Sequence, residues 1–279
     1  MTVEHAFLWA CHSELEALKV GNVHIYGEGH DMTVAQFITS AHVVAPLLGD
    51  ATLSVGKRIR TSIEATHAAV GCNTNLGIVL LAAPIAAAAQ LRQHSPQENL
   101  RPELQAVLTT LSQQDAIDAY AAIAMAYARY LGTSEKHDIQ ATPKVTLYQA
   151  MCHAQDRDLI AQQYATTFHD VYAQGVSLLK TNKHRPLRET ITAMHLRFLS
   201  SSVDSHIVRQ HGIDIAEGIR KQACHYGRVL AVEGYASVKK GLLAWDKELK
   251  ARKINPGACA DLVVASLMLF FIENLQNRL

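Results

Sequence analysis

Five short polar stretches carry the residue types that chemistry requires. In the first, Glu64 and His67 are three residues apart, so they share a face on a helix. The turn Gly71-Cys72-Asn73-Thr74-Asn75-Leu76-Gly77 follows. Its glycines free the backbone, and the helix it opens offers unpaired N–H groups and a positive dipole end, which suits phosphate. The same residues also fit an ordinary helix–turn–helix in which Asn73 or Thr74 is a cap.

The second stretch, Lys19 to His30 with Asp31, offers Lys19, Gly21, Asn22, His24, His30 and Asp31. A glycine-containing loop with a lysine can hold phosphate, while Asp31 can equally mark a helix start. The third is Asp156 with Asp158. Two close carboxylates can hold Mg²⁺ through waters beside phosphate oxygens, and acidic residues also suit a helix N-terminus. The fourth runs from Asp204 to Gly212. There His206 and Arg209 share a helical face, Arg209 can make forked bonds to phosphate, and His211 closes the segment. The fifth, Asn255-Pro256-Gly257-Ala258-Cys259-Ala260-Asp261, opens an apolar segment with Asp261 in its first turn.

The elements that must position these stretches read as helices. Strand alternation bounded by hairpin turns is scarce and helical periodicity is common. A helix is expected over 6–18. Thr33 with Gln36 forms a capping box for a second, ending near Gly49. A third covers 53–67. Ile78 to Arg92 is apolar nearly all round and reads as a central buried helix. Ser95-Pro96-Gln97-Glu98 is a start signal. A helix from Asp115 ends at Leu131 before Gly132. Asp156 is expected to cap one long helix with Ile160, Tyr164, Phe168, Val171 and Leu178 inward. Further helices are expected over 186–200, 204–211, 214–230, 235–253 and 260–277. No repeat or low-complexity linker interrupts them, so the expectation is an all-α, single compact domain over residues 1–279 with buried central helices.

Composition narrows the function classes. The 279 residues are 49% hydrophobic, enough for a sizeable core, with a formal charge of +1. That balance gives no reason to expect a nucleic-acid partner. The five cysteines are scattered, without a CxxC pair, which fits neither a disulfide framework nor a zinc site. The first ten residues lack the pattern of a signal peptide, and the apolar runs 78–89 and 263–272 are shorter than the roughly 20 residues of a membrane span. A cytoplasmic location without a membrane partner is the expectation.

Taken in order, the polar stretches resemble the ATP:dephospho-CoA triphosphoribosyltransferase family, which makes the prosthetic-group precursor of citrate lyase and malonate decarboxylase. Glu14 and Lys19-Val20-Gly21 resemble the family's glutamate helix and Lys-Pro-Gly loop, and Asp31-Met32 its Asp-Met pair. Gly71 to Gly77 is similar to the hallmark Gly-Val-Asn-Thr-His-Lys-Gly. Asp204, Arg209 and Gly212 look like its Asp…Arg…Gly segment, and Asn255 to Leu262 its Asn-Pro-Gly-x-x-Ala-Asp-Leu segment. The resemblance runs from about Glu14 to Phe271. It departs at Val20 for Pro, at Ala68-Ala69 for Ala-Thr, and at Asn75-Leu76 for His-Lys, where a cationic contact is lost. Thr-Asn-Leu-Gly followed by a Leu-Leu-x-x-Pro run resembles a divergent branch associated with methylotrophs and archaea.

The resemblance implies an all-α transferase that moves a triphosphoribosyl group from ATP to a hydroxyl such as that of dephospho-CoA, with loss of adenine and Mg²⁺ assistance. It implies a base among Glu64, Asp31 and Asp261. Lys19, Gly21, His67, Gly71, Asn73, Thr74, Asn75, Gly77, His206, Arg209 and His211 would hold substrate or phosphate, and Asp156 and Asp158 the metal. Its partners would be small molecules, with a homodimer left open. Two alternatives stand beside this reading. One keeps the chemistry on a tetrahydromethanopterin-type, one-carbon-carrier precursor, with a phosphoribosyl donor in place of ATP. The other is a non-catalytic nucleotide-binding helical protein, which would need none of Glu64, Asn73, Asp204, Arg209 and Asp261.

Overall fold

The computed structural model describes residues 2–92, 99–127 and 143–275. Among them are fourteen α-helices and one π-helical turn, Val171–Val176. Among the described residues extended pairing is limited to two isolated bridges, His24 with Gly27 and Gly29 with Met32. The all-α reading therefore holds.

The first half contains α1 (Val3–Leu15), α2 (Val34–Gly49), α3 (Val55–Val70), α4 (Leu76–Leu91), α5 (Arg101–Thr110) and α6 (Gln113–Tyr127). Local chemistry sets their ends. Thr33 Oγ1 accepts from Gln36 N at 3.2 Å while Gln36 Oε1 accepts from Thr33 N at 2.9 Å, the reciprocal box expected for α2. Gly71 stops α3 in the left-handed region, φ +71°. Asp115 lies inside α6 rather than at its start. Its carboxylate accepts from Ser112 N and reaches across to Gly56 N at 2.7 Å, tying α6 to α3. The start signal Ser95–Glu98 and the expected stop at Leu131-Gly132 lie outside the described residues.

The second half contains α7 (Leu147–Ala154), α8 (Leu159–Ala165), α9 (Ser177–Thr181), α10 (Leu187–Ser201), α11 (Ser205–His211), α12 (Ile213–Glu233), α13 (Tyr235–Ala251) and α14 (Gly257–Leu275). The expected long helix from Asp156 is broken. Asp158, not Asp156, caps α8 by accepting from Ile160 N and Ala161 N. The chain then turns at Thr167 and Phe168, both left-handed at φ +51° and +55°. The π-helical turn that follows inserts an extra residue, so the inward position passes from Leu178 to the buried Leu179.

The core is one contiguous hydrophobic cluster around α4 and α14. Val79, Leu81, Ala83, Ile85 and Ala86 of α4 are wholly buried. Pro84 sits inside α4 and removes the N–H that would bond Leu80 O. Tyr164 on α8 satisfies that carbonyl through its hydroxyl at 2.6 Å. α14 packs on α1, α4, α10 and the π-helical turn. It begins earlier than expected, and its window Gly257–Asn274 is long and apolar enough to cross a bilayer by composition, yet 78% of that window is buried within the protein.

Candidate active site

The polar stretches meet at the N-terminal end of α14. Asp204, fully buried, is the N-cap of α11 and accepts from His206 N and Ile207 N. Its second oxygen accepts from Cys259 N at 2.8 Å in the first turn of α14. Ser205 Oγ accepts from Leu159 N, and Arg209 donates to Asp158 at 2.6 Å, which bring the start of α8 to α11. Asp261 lies against the start of α4: a Cβ added to Gly77 would collide with its Oδ2. Only a glycine there lets the carboxyl reach the helix. Four helix N-termini, of α4, α8, α11 and α14, thus gather at one place. The positive ends of their dipoles point here, with first-turn N–H groups bonded by Asn73, Asp158, Ser205 and Asp204.

Into this corner the protein also places carboxylates. Burial pushes the Asp261 proton affinity well above the usual carboxylate range, and the nearby carboxylates of Asp204, Glu14 and Asp158 push it further, against the opposing charge of Arg209. Asp204 is likewise raised, chiefly by burial. A carboxyl held this way takes up a proton more readily than an ordinary carboxylate. Burial lowers His206 to about 4, reinforced by the charge of Arg209, so at neutral pH its ring is uncharged. His206 packs 3.5 Å from where a Gly257 Cβ would lie. His211 stands at the edge, its Nε2 3.1 Å from Lys253 O.

The Lys19–His30 loop lines this corner in a role different from the expected one. Lys19 is wholly buried, and its ammonium donates to Glu14 Oε1 at 2.5 Å, Val23 O at 2.6 Å and Asn22 Oδ1 at 3.0 Å. All three of its protons are donated within the chain, so in this structure Lys19, expected to hold phosphate, pins α1 to the loop. Gly21 adopts φ +75°, and an added Cβ would lie 2.9 Å from both Ile254 O and Pro256 Cδ, so its glycine is required for the loop to lie on the start of α14. Asn22 donates to Asn255 Oδ1 at 2.9 Å. His30 Nε2 is 2.7 Å from Gly21 O. His30 and Asp31 are both left-handed at φ +59°, with Asp31 exposed at the rim.

The hallmark turn divides by role. Asn73 Oδ1 accepts from Leu76 N at 3.0 Å and Asn75 N at 3.3 Å, so Asn73 bonds the start of α4, whose N-cap residue is Asn75. Thr74 donates to Ser40 at 2.6 Å, and Asn75 donates from Nδ2 to Thr66 at 3.0 Å. Asn75 Oδ1 is buried without a hydrogen-bond partner, and Asn75 lines a crevice with Glu14, Cys11 and Phe37. Gly71 serves as the left-handed stop of α3, and His67 is exposed one turn before it. Glu64 is half exposed and paired with Arg60 at 2.9 Å, which also reaches Asp118. The contacts of Glu64 are thus on the α3–α6 side rather than with Asp261. Asp156 is exposed in the turn before α8. Among the described residues no group of three His, Cys, Asp or Glu is arranged to hold a metal.

Sequence reasoning passed over Asp246 and Lys250. Asp246 Oδ1 accepts from Gly21 N at 2.8 Å and lies 3.2 Å from His24 Nε2; Oδ2 accepts from Lys250 at 2.9 Å. Lys250 also donates to Gly27 O at 2.7 Å. This clamp holds both ends of the loop onto α13. Burial alone would raise Asp246, but the bond and charge of His24, with those of Lys250, hold it below the ordinary value. The signal was present: Asp246 sits on the inward face of α13 with Leu242, Trp245 and Leu249.

Comparison with known proteins agrees with the motif order. The family model for ATP:dephospho-CoA triphosphoribosyl transferase (CitG) matches residues 1–278. No curated protein matches the chain. Among solved structures, a protein of Archaeoglobus fulgidus described as a triphosphoribosyl-dephospho-CoA synthase superposes with a TM-score of 0.66 at 19% identity, covering 85% of this chain and 98% of that one. That likeness speaks for the fold. The match over nearly the full length, on a fold whose motif loops converge at one corner, means that the chain belongs to the ATP:dephospho-CoA triphosphoribosyl transferase family and is an enzyme of that class.

Proposed function

We propose that the chain moves the triphosphoribosyl group of ATP onto a hydroxyl of dephospho-CoA and releases adenine, with Asp261 at the reacting centre. The observation that carries this reading is the gathering of four helix N-termini around one carboxyl of raised proton affinity. The hydroxyl oxygen attacks ribose C1′, the bond from C1′ to the adenine nitrogen breaks, and the hydroxyl proton passes to the Asp261 carboxylate. Adenine leaves and takes up a proton. Positive charge developing at C1′ is offset by the surrounding carboxylates, as in glycoside hydrolysis. The triphosphate is retained, set beside the exposed guanidinium of Arg209 and the positive ends of the helix dipoles.

Mg²⁺ fits this scheme as a counter-ion carried mainly on triphosphate oxygens and waters. The Asp158 carboxylate is shared with Arg209 and the start of α8, so the protein offers it an outer contact, with Asp156 nearby, rather than a cage. Among the three candidate bases, Asp261 is favoured over Glu64, which is paired with Arg60, and over Asp31, which is exposed at the rim.

The test is release of adenine from Mg·ATP with and without dephospho-CoA, with the product weighed by mass spectrometry. The expected result is adenine release dependent on dephospho-CoA and a triphosphoribosyl adduct on it. Nucleotide binding without adenine release would exclude this acceptor and direct the assay to ribitol-bearing, tetrahydromethanopterin-type precursors and phosphoribosyl donors.

A further inference from the structure

Outside the α14 corner, a groove of about 670 Å³ follows the seam between α10 and α12. The two helices run antiparallel. Cys224 and Arg220 both donate to Ser200 O at one end, and at the other Tyr235, just past α12, hydrogen-bonds with Thr192. Between those ends the facing residues are small, Ala193, Gly227 and Ala231, and a side chain added at Gly227 would meet nothing within 4 Å. The space is therefore built by the sequence, and its size is that of a small-molecule site.

The lining has a definite chemistry. Arg185, Arg197 and Arg228 border the groove and all are exposed, against one acid, Glu189. Among the described residues Arg185 and Arg197 make no ion pair, and Arg228 donates from Nε to Cys224 O of its own helix. Exposed like charges lining one trough favour an anionic occupant, and guanidinium groups match phosphate oxygens in pairs. Leu178, Leu230, Ala193 and Ala231 supply an apolar floor beside them. An occupant must thus combine a phosphate or diphosphate with an uncharged, partly apolar arm. At its Tyr235 end the groove borders the Lys19–His30 loop: Tyr235 is within electrostatic reach of Tyr26, and Lys239 lies 5.6 Å over the Tyr26 ring.

We infer that this groove seats the diphosphate and pantetheine arm of dephospho-CoA, with the arginines on the diphosphate and the arm along the α10–α12 floor. The inference rests on the acceptor named above, and it assigns that acceptor a seat apart from the residues that handle the triphosphate.

The experiment is direct calorimetric binding of dephospho-CoA, without ATP, to the full chain and to two variants, Gly227→Leu and Arg197→Gln with Arg228→Gln. Leucine at 227 fills open space on a helix, and the arginines are exposed, so both variants should fold; circular dichroism and the KM for ATP check this. The expected result is dephospho-CoA binding weakened at least about tenfold in each variant, with the KM for ATP unchanged. Equal binding by the wild-type chain and both variants overturns the groove while leaving the transferase reading intact. Groove-dependent binding without adenine release sustains the groove and removes that reading. If Gly227→Leu instead changes the oligomeric state while dephospho-CoA binding is untouched, the groove belongs to a second copy of the chain and the inference falls.

Discussion

Asp246 and Asp261 lie on consecutive helices, α13 and α14, and both are within electrostatic reach of Lys19. Their surroundings differ in sign. Asp246 is bonded by Lys250, His24 and the Gly21 N–H, and its proton affinity is lowered. Asp261 is flanked by Asp204, Glu14 and Asp158, and its proton affinity is raised. A carboxylate whose partners are all present in the resting protein holds structure together. One whose neighbours oppose its charge is kept ready for a proton or a cation that arrives with substrate. The residue type is the same; burial dominates at Asp261 with its acidic neighbours adding to it, whereas at Asp246 the partners outweigh burial.

Removing each carboxyl should separate these roles. Asp261→Asn is expected to lower turnover by about 10²- to 10⁴-fold, the usual worth of a positioned base, without lowering the melting temperature. Steady-state kinetics and a thermal melt check the two halves; a melt that drops with activity would make Asp261 structural. Asp246→Ala strands His24, Lys250 and the Gly21 N–H together. It is expected to cost about 3–5 kcal/mol in urea unfolding, as when one partner of a buried pair is removed.

Acidity should sharpen the contrast. Asp246 binds its proton less readily folded than unfolded, so its stabilisation is present above the unfolded value near 3.8 and is lost as pH falls through the lower folded value. Asp261 binds its proton more readily folded, so its effect on stability is unfavourable once pH rises above 3.8, and fully so above the raised folded value. Asp261→Asn should therefore gain stability relative to the wild-type chain as pH rises from about 4 towards neutrality. Asp246→Asn should lose relative stability as pH rises from the lowered folded value to about 3.8 and keep a constant deficit above it; parallel melts across the range measure both. The smallest effect is expected at Glu64, half exposed beside Arg60. Glu64→Gln should change stability by less than about 0.5 kcal/mol and leave turnover within about threefold. A collapse of turnover at unchanged stability would move the base from Asp261 to Glu64.

Local rules made much of the fold legible. The Thr33–Gln36 box, the Asp204 cap with its Gly212 stop, and the apolar girth of α4 each depend on residues close in sequence. The π-helical turn after Phe168 was hidden because five apolar residues at near-helical spacing fit an unbroken helix equally well. At the site, the order of the motifs identified which stretches meet, but not what each side chain does there. A lysine in a glycine loop reads the same whether it faces solvent or is sealed against Glu14, and two of the three partners of Asp246, Gly21 and His24, lie more than 200 residues away. Long-range pairing of that kind leaves no periodic trace; a charge on an inward helical face is the nearest thing to one.

The gathering of helix starts around Asp261 has a consequence for how the sequence can drift. The attraction it offers an anion comes from peptide groups, which every residue other than proline carries, and not from any one cationic side chain. Replacement of the hallmark His-Lys by Asn75-Leu76 removes two side chains and leaves that backbone field in place. Mutational tolerance at the hallmark should therefore be wide where side chains point outward and narrow at Gly77, as it should be at Gly21 of the neighbouring loop, because the chain approaches itself closely at both.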